Sequence, residues 1–584
     1  MLFADVANVF NRLEGTSSRL EMATILSASF RDLEPVALRT VVYLSQGKLH
    51  PDFYPNELGM ADRSVLKSIS SISGYPDDAV NSIWVETGDA GEVAERLMKK
   101  RKQMTFLDEP LTLERVIANL EKIEGESGKD SQSSKQKYFS QLLKDSTPVE
   151  ARYLCRIVTG RMRVGAGSMT ILDALAEAFG TKEDRPDIER AFNITCDLGL
   201  VAETLARGGV EAARRIMVSV GSPIKVMLAE RLPSIPLILD RMGGRTAMEF
   251  KYDGIRVQAH IDGDSVKLYS RQLEDLTSNF PDIAAALRKQ CKAEKAIIEG
   301  ECVAVDPATG GMLPFQTVTH RRKKHGMDKA VEDYPVRIFM FDILFVDGTD
   351  MTVCPFGARR SRLEETFDLS ETIQFTTMEA VSTSEEGEKF FNKALSMKCE
   401  GIMAKSLSPE SVYRAGSRGF LWIKYKKDYE EALTDSFDLV VVGAFHGRGK
   451  RAGKYGALLM AVFDDETGKY CTVCKLGTGF DDAFLAGMPD MLDGYLSDGR
   501  PHMVEAQMEP DVWFLPTVVL EVVAAEISLS PTHTAAWGAV KNGAGLGLRF
   551  PRFTGRVRGD KGPEGCTTVN EVLDMYELQK RDEQ

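Results

Sequence analysis

The sequence predicts a multidomain fold in three parts: an all-α N-terminal region, an α/β core and a C-terminal β-barrel of the OB-fold kind. Three observations carry the prediction. Apolar residues recur at helical spacing through residues 1–215, where strand-type alternation is rare. Short apolar strands then alternate with helical stretches through residues 216–430. Residues 431–584 carry short strands separated by glycine turns, the pattern of a small closed barrel.

Length and composition agree with several cored, soluble domains. The chain has 584 residues, 43% hydrophobic and 27% charged. No apolar run reaches the roughly 20 residues that a bilayer span needs. The start, Met1 to Gly15, lacks a cationic stretch before a greasy one, so no signal peptide is expected. The 9 cysteines are scattered, and only Cys471 and Cys474 have C-x-x-C spacing, with no second pair to complete a zinc site. Reduced thiols in a cytoplasmic protein are the expectation. A net charge of −13 excludes a generally basic nucleic-acid coat but not local patches. Four are present: Lys99 to Lys102, Arg321 to Lys324, Lys424 to Lys427 and Arg448 to Arg451. Each alone is an ordinary solvated turn or helix face. Four on one acidic chain weaken that reading.

In the first part, Phe3 to Gly15 and Ala151 to Gly160 show helical spacing. Gly125 to Gln136 is polar and Ser-rich, the composition of a loop between helices. Arg161 to Ser168 sets two arginines beside small residues and glycines, which suits close approach to a duplex backbone. A helix end followed by a loop fits the same residues. Gly221 to Leu232 reads as a connector. Strands are expected at 248–260 with a tight turn at Asp253-Gly254, and at 265–272, 295–306, 336–348, 400–406 and 420–427. In the last part they are expected at 437–447, 455–465, 469–477, 518–528 and 546–561.

Chemistry gathers on the stretch Met248 to His260. Lys251 stands at a strand end beside Asp253, Gly254 and Arg256. A lysine becomes a nucleophile when partial burial and nearby positive charge lower its pKa, and Arg256 is placed to supply that charge. Alone, the pattern also describes an ordinary Asp-Gly hairpin. Downstream, Arg271 follows a strand, Glu299 and Glu301 flank Gly300, Phe341 precedes Asp342, and Glu400 and Lys405 mark the ends of another strand. Arg418, Trp422, Lys424 and Lys426 share one parity, so on a strand they face one way. Three cations on one face repel each other unless an anion sits on them, and polyphosphate is the natural candidate. Glu301 and Glu400 would then hold Mg²⁺, which takes a few carboxylates plus phosphate oxygens.

Taken in order, the segments Lys251 to Arg256, Tyr269 to Arg271, Glu299 to Glu301, Phe341-Asp342, Glu400 to Lys405 and Trp422 to Lys426 resemble the successive motifs of covalent nucleotidyltransferases. Within that superfamily the chain is most similar to ATP-dependent DNA ligases of the archaeal and eukaryotic replicative type. The resemblance covers nearly the whole chain and implies a helical DNA-binding domain (1–215), an adenylation, or nucleotidyltransferase, domain (216–430) and an OB-fold domain (431–584). It implies that Lys251 attacks the α-phosphate of ATP, carries AMP as a phosphoramidate and passes it to the 5′-phosphate of nicked double-stranded DNA. Glu249 and Phe341 would face adenine. Arg256 and Arg271 would contact ribose and phosphate, and Glu301 the ribose and metal. Glu400 would bind metal, and Arg418, Lys424 and Lys426 would grip phosphates. Arg558-Gly-Asp560-Lys561 resembles the OB-domain motif that orients pyrophosphate, with Gly559 where such ligases often carry an acid.

The resemblance also implies work in replication, repair and recombination, as a monomer. Gln103, Phe106 and Leu107, just after a basic run, resemble an abbreviated sliding-clamp peptide, and a helix end with a buried Phe106 fits them equally. The connector at 428–438 reads as a hinge that lets the OB domain approach and withdraw. An RNA-capping guanylyltransferase or an RNA ligase shares some motifs but not this helical N-terminal part. An NAD-dependent ligase would bring a four-cysteine zinc module. A non-catalytic scaffold has no need of Lys251, Glu301, Glu400 and Lys424 together.

Overall fold

The computed structural model describes every residue except 17, 55–57, 101–109, 129–130, 314–316, 319, 323–326, 427–435, 448–453, 498, 560 and 583–584. The chain divides into two compact units, residues 1–80 with 90–427 and residues 81–89 with 428–584.

The first unit opens with helices that run from Phe3–Glu14 to Leu198–Arg214. Local chemistry starts and stops them. Thr147 and Glu150 form a reciprocal capping box at the head of Pro148–Val158, and Asp197 caps Leu198–Arg214 by accepting from Leu200 N. The latter helix kinks at Gly208 and Gly209, where φ reaches 64° at Gly209. A buried ion group ties the helices together. Arg156, 2% exposed, donates to Glu14 at 2.8 and 3.0 Å, and Tyr153 donates to the same carboxylate at 2.9 Å. The Ser-rich stretch expected as a loop is a loop only in part. Ser131 to Gln136 form the first turns of the helix Ser131–Asp145. Lys135 is buried there, its stem packed and its amine donating to Leu58 O at 2.9 Å, so tertiary contact overrides a polar composition.

The rest of this unit carries the strands β1 (Leu228–Arg231), β2 (Thr246–Lys251), β3 (Ile255–Asp262), β4 (Ser265–Ser270), β5 (Lys295–Ala304), β6 (Val336–Val346), β7 (Thr349–Asp350), β8 (Ile373–Phe375), β9 (Met378–Val381), β10 (Gly401–Ser406) and β11 (Arg418–Lys426). They form two sheets. One has the order β1-β11-β10-β2-β9, the other β4-β3-β5-β6-β7 with β8 beside β6. The turn at Asp253-Gly254 therefore does not close a hairpin, as its sequence suggests. It carries the chain from one sheet to the other. A side chain at Gly254 would fall on the Cys302 carbonyl of β5, so the chain leaving the turn presses on β5 and not back on β2. The second sheet packs Val257, Ala259, Ile298, Ile338, Met340 and Ile343 into one core, with Ile283 and Leu287 from the helix Pro281–Gln290.

The second unit is strand-rich. Its strands are β12 (Phe437–His446), β13 (Tyr455–Asp464), β14 (Lys469–Leu476), β15 (Leu496–Ser497), β16 (Val504–Glu505), β17 (Val512–Phe514), β18 (Val519–Val523), β19 (Glu526–Ser530), β20 (Gly545–Arg549) and β21 (Arg552–Val557). The order is β15-β17-β12-β13-β14-β16, with β18 pairing both β12 and β21, and β19 pairing β20. Val441, Met460, Val473, Leu520 and Phe553 fill the core, closed by Val572 and Tyr576 of the last helix. No helix among the described residues is long and apolar enough to cross a membrane.

Candidate active site

The two sheets of the first unit face each other across a cavity of about 450 Å³. Lys251, Glu249, Arg256, Arg271, Glu301, Phe341, Glu400, Arg418, Lys424 and Lys426 all line it. One wall comes from β2, β10 and β11, the other from β3, β5 and β6.

Register explains how the acids and lysines meet. Gly401 pairs with Lys251 on one side and with Lys426 on the other. Glu400, one residue earlier, thus sits at the sheet end between two lysines. Its Oε2 is in contact with Lys251 Nζ and lies 2.6 Å from Lys426 Nζ. Gly401 permits this approach. Its φ is 151°, and a side chain there would fall on the Tyr425 carbonyl. On β11, Trp422, Lys424 and Lys426 face the cavity as their shared parity predicts. Phe420 shares that parity but does not line the cavity; it lies under Arg241, 3.9 Å from its ring, in the region where β11 shifts register against β1.

The electrostatics correct one expectation. Burial alone would pull the Lys251 ammonium down, but Glu400, Glu301 and Asp253 more than offset it and hold its pKa above the ordinary lysine value. Arg256 is not a free charge beside Lys251. Its Nη2 donates to the fully buried Glu299 at 2.8 Å and its Nη1 to Met227 O at 3.3 Å, while its Nε is buried without a hydrogen-bond partner. Burial raises the Glu400 carboxyl, and Lys251 and Lys426 reverse that and carry it below the usual range. Glu301, beside Arg256 in register, is pushed up to about 7 by burial, with Glu400 and Asp253 adding to the rise and Lys251 and Arg256 opposing it. Lys424 is depressed by burial and by Lys426, Lys251, Arg418 and Arg231. A cation pressed this way binds an anion readily.

Deeper in the cavity Glu249 is 2% exposed. Its Oε2 lies 2.7 Å from Lys405 Nζ, and its Oε1 has no hydrogen-bond partner. Phe341 meets Trp422 edge-on at 6.2 Å, and its carbonyl accepts from Lys405 at 3.0 Å. Arg271 stands exposed in the turn after β4. Several contributors escape a sequence reading. Tyr413 donates to Glu299 at 2.9 Å and accepts from Met227 N at 2.9 Å. Arg359 makes two bonds to Asp342, at 2.7 and 3.0 Å, behind Phe341, both groups fully buried. Tyr252 stacks on Phe339 at 3.9 Å. The helix Phe356–Thr366 did carry a signal: Phe356 and Leu363 mark its buried stripe, and Arg359 falls on that stripe.

In the second unit Arg558 Nη1 lies 2.8 Å from Asp438 and Lys561 Nζ 2.6 Å from it. Asp560 lies outside the described residues, as do Gln103, Phe106 and Leu107, the patch at 448–451 and most of the connector at 428–438.

Three family models match the chain: "DNA ligase N terminus" over residues 2–176, "ATP dependent DNA ligase domain" over 226–426 and "ATP dependent DNA ligase C terminal region" over 451–561. DNA ligase 2 of Thermofilum pendens is 46% identical over 588 residues, spanning 99% of this chain and 98% of that protein. The DNA ligase of Caldivirga maquilingensis is 44% identical over 591 residues, again 99% and 98%. The solved structure Pmar-Lig_Pre shares the fold with a TM-score of 0.55 at 17% identity, covering 95% of this chain and 99% of that one. Matched end to end at such identity, the chain belongs to the family of ATP-dependent DNA ligases, enzymes that seal nicks by forming a phosphodiester bond.

Proposed function

We propose that sealing runs through a covalent adenylate on Lys251, and that the cavity holds first ATP and then the nick. The observation that carries this is the shared position of Glu400 between Lys251 and Lys426, inside a cavity that Arg256, Arg271, Lys405, Arg418 and Lys424 also line. Lys251 Nζ attacks the α-phosphorus of ATP; a P–N bond forms, the bond to the bridging oxygen breaks and pyrophosphate leaves. The 5′-phosphate at a nick then attacks the same phosphorus and releases the amine. Finally the 3′-hydroxyl displaces AMP and closes the strand. Phosphoryl chemistry of this kind depends on positioning and charge neutralisation. Arg418, Lys424 and Lys426 grip phosphates. Arg256, through its unpartnered Nε, and Arg271 take ribose and phosphate, and later the 5′-phosphate. Glu249 accepts from adenine through its unpartnered Oε1, and Phe341 stacks on the base.

Glu301 and Glu400 would hold Mg²⁺, which supplies neutralisation of phosphate charge when bound. The donor set fits. Both carboxylates face the cavity and offer the hard oxygen donors that Mg²⁺ takes. The remaining ligands would come from phosphate and water, as Mg²⁺ prefers. The attack needs the neutral amine: burial and the neighbouring Lys424 favour it, Glu400, Glu301 and Asp253 oppose it, and a cation held by Glu301 and Glu400 would offset that opposition.

The helical region would grip the duplex through phosphate contacts. Its loop at 161–168 supports this, with left-handed backbone at Arg163 (φ 56°) and Gly165 (φ 73°) ahead of the helix Ser168–Phe179. A cytoplasmic monomer in replication, repair and recombination is the reading, with a sliding clamp docking on Gln103, Phe106 and Leu107 and a hinge at 428–438. Labelled ATP and a denaturing gel test the core of it. The intact enzyme gives a labelled band and Lys251→Ala none; a band in the variant would refute the covalent route. Clamp docking is checked by pull-down, where Phe106→Ala with Leu107→Ala should lose the clamp.

A further inference from the structure

The helix Phe356–Thr366 carries a second buried arginine, 7% exposed overall, to the back of the cavity wall, against Glu249 and Thr376. Arg360 Nε donates to Glu364 at 2.7 Å, Nη1 to Thr376 Oγ1 at 2.9 Å and Nη2 to the Thr376 carbonyl at 3.1 Å. Three bonds on three nitrogens fix the plane of the guanidinium. Its Nη1 edge then stands 3.5 Å from Oε1 of Glu249. Lys405 takes the other carboxylate oxygen. Burial raises the Glu249 pKa, and Lys405 and Arg360 are the cations that oppose the rise. The protonation state of this carboxyl decides what it can read. A carboxylate only accepts hydrogen bonds and suits an exocyclic amino group. A neutral acid also donates and tolerates a carbonyl.

We propose that Arg360 is a specificity-determining positioning residue: by holding Glu249 as an acceptor with Oε1 turned to the cavity, it makes the enzyme choose a 6-amino purine over a 6-oxo purine. The proposal rests on the reading that Glu249 faces the base. Thr376, which lines the cavity itself, acts as the arm that keeps Arg360 in plane.

The test uses the full-length enzyme and measures kcat/KM for lysyl-nucleotide formation from labelled ATP and labelled inosine triphosphate. The two differ only at purine position 6 and the adjoining ring nitrogen. A site built around one hydrogen bond discriminates strongly against a ligand lacking it. In Arg360→Met the ATP preference should fall by about tenfold or more, with inosine triphosphate use retained. Arg360→Lys should restore most of it, and Thr376→Val should lose part. An equal loss of both substrates in Arg360→Met would overturn the proposal, because a merely structural arginine affects both alike. Where Arg360→Met fails to fold, Thr376→Val decides, and an unchanged preference there overturns it. Glu249→Gln separates the two layers. An unchanged preference in Glu249→Gln removes the underlying reading of Glu249. A preference altered in Glu249→Gln but intact in Arg360→Met keeps that reading and rejects the role of Arg360.

Discussion

Lys251 ends β2 with its amine on the carboxylate of Glu400, and that contact sets its resting state. The residue types around it were legible in the sequence, since motif order alone gathers Lys251, Glu301, Glu400 and Lys424. The sign of the effect on the lysine was not legible. It depends on Glu400, Glu301 and Asp253 outweighing burial, while Arg256 is spoken for by Glu299, a pairing 43 residues apart in the chain. Tyr413 was missed for the same reason, its partner Glu299 lying 114 residues away. Glu301 yields a pH prediction. Its pKa near 7 means that between the ordinary glutamate value and 7 the folded protein binds more protons than the unfolded chain, so this group costs stability as pH rises through that window. Glu301→Gln should therefore raise the melting temperature of the ligand-free enzyme at pH 8, raise it less at pH 6 and leave it unchanged near pH 4. Scanning calorimetry across pH checks this, and a gain independent of pH would contradict it.

At the level of strands and helices, alternation located β2 to β6, β10 and β11, and the parity of β11 placed Trp422, Lys424 and Lys426 on one face; β1, whose Leu228 and Ala229 also line the site, was read as connector. Pairing was another matter. Nothing local distinguishes a hairpin at Asp253-Gly254 from a crossing between sheets; the difference lies in Gly254 meeting β5. Likewise Ser131 to Gln136 look like loop until Lys135 finds the Leu58 carbonyl. A tight element-level constraint is Gly401, where β2, β10 and β11 converge. Gly401→Ala combines an unfavourable φ with a side chain driven onto Tyr425 O, a cost of about 1–3 kcal/mol. It should lower thermal stability and cut adenylate formation by at least about tenfold, because Glu400 and Lys426 move with the strand. Chemical denaturation and the labelled-ATP gel report the two effects separately.

On the scale of the whole molecule, an acidic chain of net charge −13 concentrates cations inside one cavity. Binding to nicked duplex should weaken steeply with salt, and Lys424→Ala should make the slope of log affinity against log salt shallower by about one unit. A titration of both proteins from low to moderate salt checks this; equal slopes would remove Lys424 from the phosphate contacts. The helical region is also part of how the nucleotide core is built. Lys225 lies 3.8 Å over the Phe192 ring, its amide donates to Asn193 O at 2.7 Å, and Ile194 packs in one cluster with Ile224, Met227, Ile297, Leu344, Tyr413 and Trp422. Cutting the chain ahead of the connector to obtain a minimal adenylating fragment would strip the cover from that greasy seam. The fragment should self-associate on a sizing column and warm to aggregation sooner than the intact enzyme, even with every motif in place.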